Sequence, residues 1–316
     1  GAAAPARPPR RPGRAAALAL ARGLAGCVPA SGAGRDARSA ARPGGSAETG
    51  RLPKQAGDPC AGLVGPDGMA CVPGGSFVRG RDDGPAEEAP AARVTVSTFF
   101  LMRDEVTQQA YRACVEAGVC GRAPPYRGYL GPRQPAVGMT WADADTYCRR
   151  EGWRLPTEAE WERAAGGPPD TRFPWGDEVP SDPCERAIVR TRAGRGCGRG
   201  TTWDVGSRPP GPWGLRDMAG NVWEWVADHG SACYRGCRRS CDEACEGVDP
   251  RGLCGGGRRP CPAALGQRLV RGGSWWHPIE RATVTARRSV PGANPTHHRF
   301  GFRCAADAPG PRSEES

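Results

Sequence analysis

No segment of this 316-residue chain reaches the 18 or more consecutive apolar residues of a membrane-spanning helix, so composition excludes a helix that crosses a bilayer. Lysine is almost missing: Lys54 is the only one. The part expected to fold also lacks a strong charge. Residues 1–54 hold ten basic residues against Asp36 and Glu48, which accounts for +8 of the formal +10. Nucleic-acid binding needs its basic patch on the folded surface, so this distribution argues against a nucleic-acid partner. Residues 28–58 lack large apolar side chains almost entirely. A Ser/Gly/Ala/Arg/Pro-rich stretch of that kind cannot bury enough surface to order itself and reads as a disordered tether. Internal repeats are missing too. Hydrophobic content is 38%, on the low side but enough for one core, while 47 glycines and 33 prolines predict many turns and few long helices.

What the N-terminus does have is a basic stretch (7–14), an Ala/Leu stretch (15–25) interrupted by Arg22, and then Leu24-Ala25-Gly26-Cys27. This reads as a secretory signal over 1–27. The tetrapeptide resembles a bacterial lipobox, which makes Cys27 the candidate lipidation site and, through it, a membrane tether. The alternative is a chance tetrapeptide in an alanine-rich stretch. Cysteine usage supports export: of 15 cysteines, 14 remain when Cys27 is set aside, an even number that a reducing compartment rarely keeps in a non-metal domain. The expected location is the cell envelope, as a lipoprotein, or the secreted fraction. Cys60 with Cys71, Cys114 with Cys120 and Cys184 with Cys197 are plausible local disulfides. Cys233, Cys237, Cys241 and Cys245 recur every four residues, followed by Cys254 and Cys261. On a helix the first four would form one stripe, a conceivable soft-metal site. They do not have the paired spacing of a zinc site, and three disulfides are the simpler reading.

One domain is expected over 59–308, with the cysteine-rich stretch 229–267 inserted in it and a polar tail at 309–316. Its elements are short. Arg93–Phe100 alternates as one strand with Val94 and Val96 on one face. Thr107 caps a helix that runs to about Ala117, with Gly118 closing it. Thr140 starts a second helix carrying Trp141, Ala144 and Cys148 on one face. Thr157 and Glu160 form a capping box for a third, expected to turn its charges outward and Trp161 and Ala164 inward. Val270–Ser274 and Arg299–Cys304 read as strand pieces with glycine bends. A few short helices among irregular strands is an α+β pattern.

Several blocks carry a family resemblance: Pro73-Gly-Gly-Ser-Phe77, Asp104-Glu-Val-Thr107, Arg154-Leu-Pro-Thr-Glu-Ala-Glu-Trp-Glu162, Phe173-Pro-Trp-Gly176, Trp213-Gly-Leu-Arg-Asp-Met-Ala-Gly-Asn-Val-Trp-Glu-Trp225, Arg271-Gly-Gly-Ser274 and Gly301-Phe-Arg-Cys304. Over roughly 72–305 the chain resembles the formylglycine-generating-enzyme (sulfatase-modifying factor) family. The resemblance implies a C-type-lectin-like fold, poor in regular secondary structure and rich in disulfides, with Cys148 joined to Cys304. It also implies structural calcium held by Asp217, Glu224 and the carbonyls of Gly220 and Val222, since hard oxygen donors suit that ion. The family's oxidase chemistry, which converts a substrate cysteine to formylglycine, uses copper on two cysteine thiolates. Those two positions correspond here to His277 and Ala282. No cysteine occurs between Arg271 and Ser289, so the soft ligands of Cu(I) are missing and copper is not expected. The histidines His229, His277, His297 and His298 could gather as a metal cluster, or simply be exposed or hydrogen-bonded. The expected function is therefore a non-catalytic binding or scaffold module for a protein or peptide. The alternative is a formylglycine-generating or related metal-dependent oxidase with other ligands.

Overall fold

The computed structural model describes residues 58–167, 170–230, 247–251, 266–293 and 297–309. Cys27, nearly all of the expected tether and the six cysteines at 233–261 lie outside them. Strands β1 (Met69–Val72), β2 (Gly75–Arg79), β3 (Ala92–Val96) and β4 (Phe99–Met102) come first. Helices α1 (Gln108–Glu116), α2 (Trp141–Arg150) and α3 (Glu158–Gly166) follow. The rest is β5 (Trp223–His229), β6 (Gly247–Val248), β7 (Gln267–Arg271), β8 (Arg287–Pro291), β9 (Phe300–Gly301) and β10 (Ala305–Asp307). The strands form three small sheets, ordered β1-β4-β10, β2-β3-β6 and β8-β7-β5-β9. This is the α+β architecture the short elements predict.

All three helix starts are capped as expected. Thr107 Oγ1 accepts from the Ala110 amide, and Gly118 follows at φ 74°. Thr140 and Thr157 make reciprocal capping boxes with Asp143 and Glu160. Each cap satisfies otherwise orphaned amides and contributes about 1 kcal/mol. The single strand expected over 93–100 is instead two strands in different sheets. Asp249 takes the Ser97 amide and hydroxyl at 2.6 and 2.7 Å, and Thr98 Oγ1 takes the Gly74 amide. These side-chain bonds break the ladder, and β4 restarts between β1 and β10.

Helix α3 departs most from expectation: its charges point inward. Glu158, Glu160 and Glu162 are 4%, 7% and 2% exposed, beside Trp161 at 0%. The partners come from the far end of the chain. Arg271 on β7, itself 0% exposed, donates to Glu158 and Glu162 and to the carbonyls of Val284 and Thr285. Arg287 on β8 grips Glu158 with two bonds of 2.6 and 2.9 Å. Arg154 does the same for Glu160. A second buried pair, Glu224 on β5 with Arg303, has two bonds of 2.7 Å. Trp161 Nε1 donates to that same glutamate at 2.8 Å, linking the two networks.

Every cysteine among the described residues is in a disulfide: Cys60–Cys71, Cys114–Cys120, Cys148–Cys304 and Cys184–Cys197. The Cys148–Cys304 bridge closes a separation of 156 residues, for which loop entropy contributes about 5 kcal/mol. It ties α2 to the residue before β10.

Two predictions follow from the buried charges. Replacing Arg271 with Met strands Glu162 without its guanidinium and should lower unfolding free energy by about 3–5 kcal/mol, read as a fall in urea midpoint. The second concerns Asp228, which accepts the Glu158 amide at 2.7 Å. Burial first, then the charge of Glu158, pushes its pKa from 3.8 up to about 7. Between those values the folded state holds a proton the unfolded chain has released. This group's contribution to stability is therefore complete below the unfolded pKa and is lost as pH rises through the folded one. Asp228→Asn should flatten the decline in stability measured by urea unfolding between pH 5 and 8; an unchanged slope would refute the assignment.

Candidate functional site

After β7 the chain turns through Gly272 and Gly273, at φ 89° and 77°. A Cβ on Gly273 would sit 2.5 Å from the Arg281 carbonyl oxygen and 2.9 Å from Ala282 Cα. Only glycine allows so close an approach at positive φ. The turn itself packs against Arg281 and Ala282, and the two residues named for the family's copper positions lie in the one short loop that follows it.

Their surroundings differ. His277 Nδ1 accepts from Trp223 Nε1 at 3.2 Å and contacts Ser274 Oγ at 2.9 Å. An indole N–H can only donate, so Nδ1 carries the lone pair and the neutral ring holds its proton on Nε2. Burial, followed by the charges of Arg299, Arg288, Arg281 and Arg190, drives this imidazole down to about 4. It is neutral and weakly basic at neutral pH, and Ser274 is fully buried. The Ser274–His277 contact is therefore a poor nucleophile–base pair. Ala282 is fully buried in an apolar cluster with Phe173, Val189 and Ile279. With a methyl at one position and an imidazole whose Nδ1 is already engaged at the other, the pair does not fit a thiolate-bound copper ion.

A cavity of about 460 Å³ opens beside His277, bordered by Trp223, Arg281, Arg287, Arg288, Ser289 and Glu87. The histidines do not gather there. His298 packs among Tyr126, Tyr129, Trp275 and Trp276, whereas His297 lies edge-on to Phe300. No group of three or more His, Cys, Asp or Glu suited to a metal occurs among the described residues.

The residues named for calcium lie elsewhere, around the start of β5. Asp217 adopts φ 56° and accepts the Gly206 amide on Oδ2, but its buried Oδ1 has no hydrogen-bond partner. Burial, and more weakly the charges of Asp104 and Glu224, lift it to about 6 against the Gly206 amide and Arg303. Glu224 is largely committed: Oε2 accepts from both Arg303 and Trp161, and Oε1 from Arg303. Glu105 sits among them, receiving the Asn221 side-chain amide at 2.8 Å. Burial, then the charges of Asp217 and Glu224, push its carboxyl well above the ordinary range. Arg303 acts on all three buried carboxylates, and Arg208 and Arg216 also act on Asp217. The orphaned Asp217 Oδ1 is a hard oxygen donor left without a protein partner, although the three carboxylates do not come together as a metal-ligating group. Glu105 belongs to the Asp104-Glu-Val-Thr107 block, but nothing in that block alone marks it as part of this site. Its signal would have been a glutamate beside Val106 in an otherwise buried run.

A family model described as the sulfatase-modifying factor enzyme 1-like domain matches residues 61–308. The chain belongs to this family. It is 30% identical over 298 residues to the formylglycine-generating enzyme of Thermomonospora curvata, covering 76% of this chain and 93% of that one. It is 34% identical over 263 residues to the serine/threonine-protein kinase pkn1 of Chlamydia pneumoniae, covering 75% of this chain but only 37% of that longer protein. Among solved structures, PvdO from Pseudomonas aeruginosa superposes with TM-score 0.59 at 27% identity, over 76% of this chain and 94% of that one.

Proposed function

We propose that this sulfatase-modifying factor domain is an exported, non-catalytic member of its family that binds a protein or peptide, tethered to a membrane through a lipidated Cys27. The observation that carries the non-catalytic part is the identity of the two residues in the Gly272–Ala282 loop, His277 and the apolar-buried Ala282. The eight cysteines among the described residues are all in disulfides, so none of them offers a substitute thiolate. The cysteine count supports export. The full chain, given copper, oxygen, a reductant and a peptide with a sulfatase-type cysteine motif, should yield no aldehyde by mass spectrometry beside an active family member. Aldehyde that disappears in His277→Ala would overturn this reading and establish a histidine-based oxidase.

We propose also that Asp217 is a calcium ligand, with the carbonyls of Gly220 and Val222 and the free lone pair of Glu224 Oε1 completing the site. The unpartnered Asp217 Oδ1 supports this. A bound cation would relieve the repulsion among Glu105, Asp217 and Glu224. Calcium should raise the thermal midpoint, by an amount equivalent to about 3 kcal/mol at a hundredfold excess over Kd, and Asp217→Asn should abolish the response. A midpoint indifferent to both calcium and EDTA would remove calcium from the account.

A further inference from the structure

We propose that the cavity beside His277 binds a compact oxyanion, phosphate or sulfate. The proposal deepens the binding-module reading of the same loop and rests on it. The argument begins with which cations at the cavity are already spent. Arg287 is fixed by two bonds to Glu158 and one to the Glu87 carbonyl, so its charge is balanced within the protein. Arg281 is not held this way: its one bond to Glu87 is 3.2 Å long, and the two side chains are 52% and 39% exposed. Such a surface pair contributes about 0–1 kcal/mol and yields readily to a better acceptor. Arg288, exposed on β8, makes no ion pair among the described residues. Two guanidinium groups are therefore available at a cavity of about 460 Å³, which holds a tetrahedral anion with room for water.

The other cavity groups favour an anion as well. Trp223 and Ser274 occupy Nδ1 of His277, which leaves the neutral ring with Nε2–H, a donor. Ser289 adds a hydroxyl to the lining. The positive field is strong enough to act on His277 itself: after burial, the charges disfavouring its protonation are all arginines, Arg299, Arg288, Arg281 and Arg190. Guanidinium forks from more than one direction suit an oxyanion with several acceptor oxygens. Glu87 is the one carboxylate in the lining among the described residues, and by pairing with Arg281 it competes with the ligand.

The test is isothermal titration calorimetry of the full chain with inorganic phosphate and with sulfate, at matched ionic strength in chloride. Saturable one-to-one binding is expected. Arg288→Gln should weaken it at least about tenfold, the loss of one charge-assisted hydrogen bond. Glu87→Gln should strengthen it several-fold by releasing Arg281. Arg93→Gln, at an exposed position on β3, should leave it unchanged. Arg288 is exposed and Glu87 half-buried, so unaltered melting temperatures will separate lost binding from lost folding. No saturable heat, or binding that survives Arg288→Gln and ignores Glu87→Gln, overturns the site and leaves only diffuse attraction to the arginine-rich chain. These outcomes bear on the oxyanion site alone. Aldehyde formation in the peptide assay would instead sink the binding-module reading beneath it.

Discussion

Helix α3 brings three carboxylates into an interior without bulk water, and guanidinium groups from more than a hundred residues away neutralise two of them. Glu158 carries the greatest load. It takes both Arg271 and Arg287, and although burial alone would raise its pKa, the two guanidinium charges hold it below the ordinary carboxylate value. Glu162 shares Arg271 with Glu158 and accepts the Gly80 amide, and there burial outweighs the arginine charges and its pKa rises. Buried pairs of this kind gain little against a well-packed apolar alternative, but they are costly to break. The fold is therefore tied to the correct meeting of α3, β7 and β8.

This constraint explains the most distinctive blocks of the chain. Residues 154–162 supply the carboxylates and Trp161. Arg271 of the Arg-Gly-Gly-Ser block answers Glu158 and Glu162, and Arg303 answers Glu224. Arg303 also reaches the carbonyls of Met102, Arg103 and Arg216, so one side chain gathers the end of β4, the start of β5 and the loop before it. The blocks that most strongly mark the family are thus largely the ones that hold it together. The short loop after Arg271 carries His277 and Ala282, neither of which takes part in these ion pairs.

The same separation shapes the functional account. The Gly272–Gly273 turn fixes where residues 277 and 282 sit, whatever side chains occupy them. In this chain one is a half-buried histidine held by Trp223 and the other a methyl packed among apolar residues. The cavity beside them is lined chiefly by arginine. One fold can host different functions, so function has to be argued from the residues of this loop rather than from the fold.

Local signals were legible in the sequence because they depend on neighbours along the chain. Thr107, Thr140 and Thr157 cap helices through residues three positions away. Three cysteine pairs close loops short enough to be read from spacing, and the fourth followed from the family resemblance. That no cysteine lies between Arg271 and Ser289 is likewise a matter of residue identity. Only the tertiary structure could decide which way the charges of α3 point. Amphipathic periodicity assumes water on the polar face, and here that face meets Arg271 and Arg287. The break at Ser97 was hidden for the same reason, since Asp249 reaches it from 152 residues away. So was the gathering of Glu105, Asp217 and Glu224 about Arg303, because an ion's surroundings in a protein interior are set by what folding brings near it rather than by what precedes it in the chain.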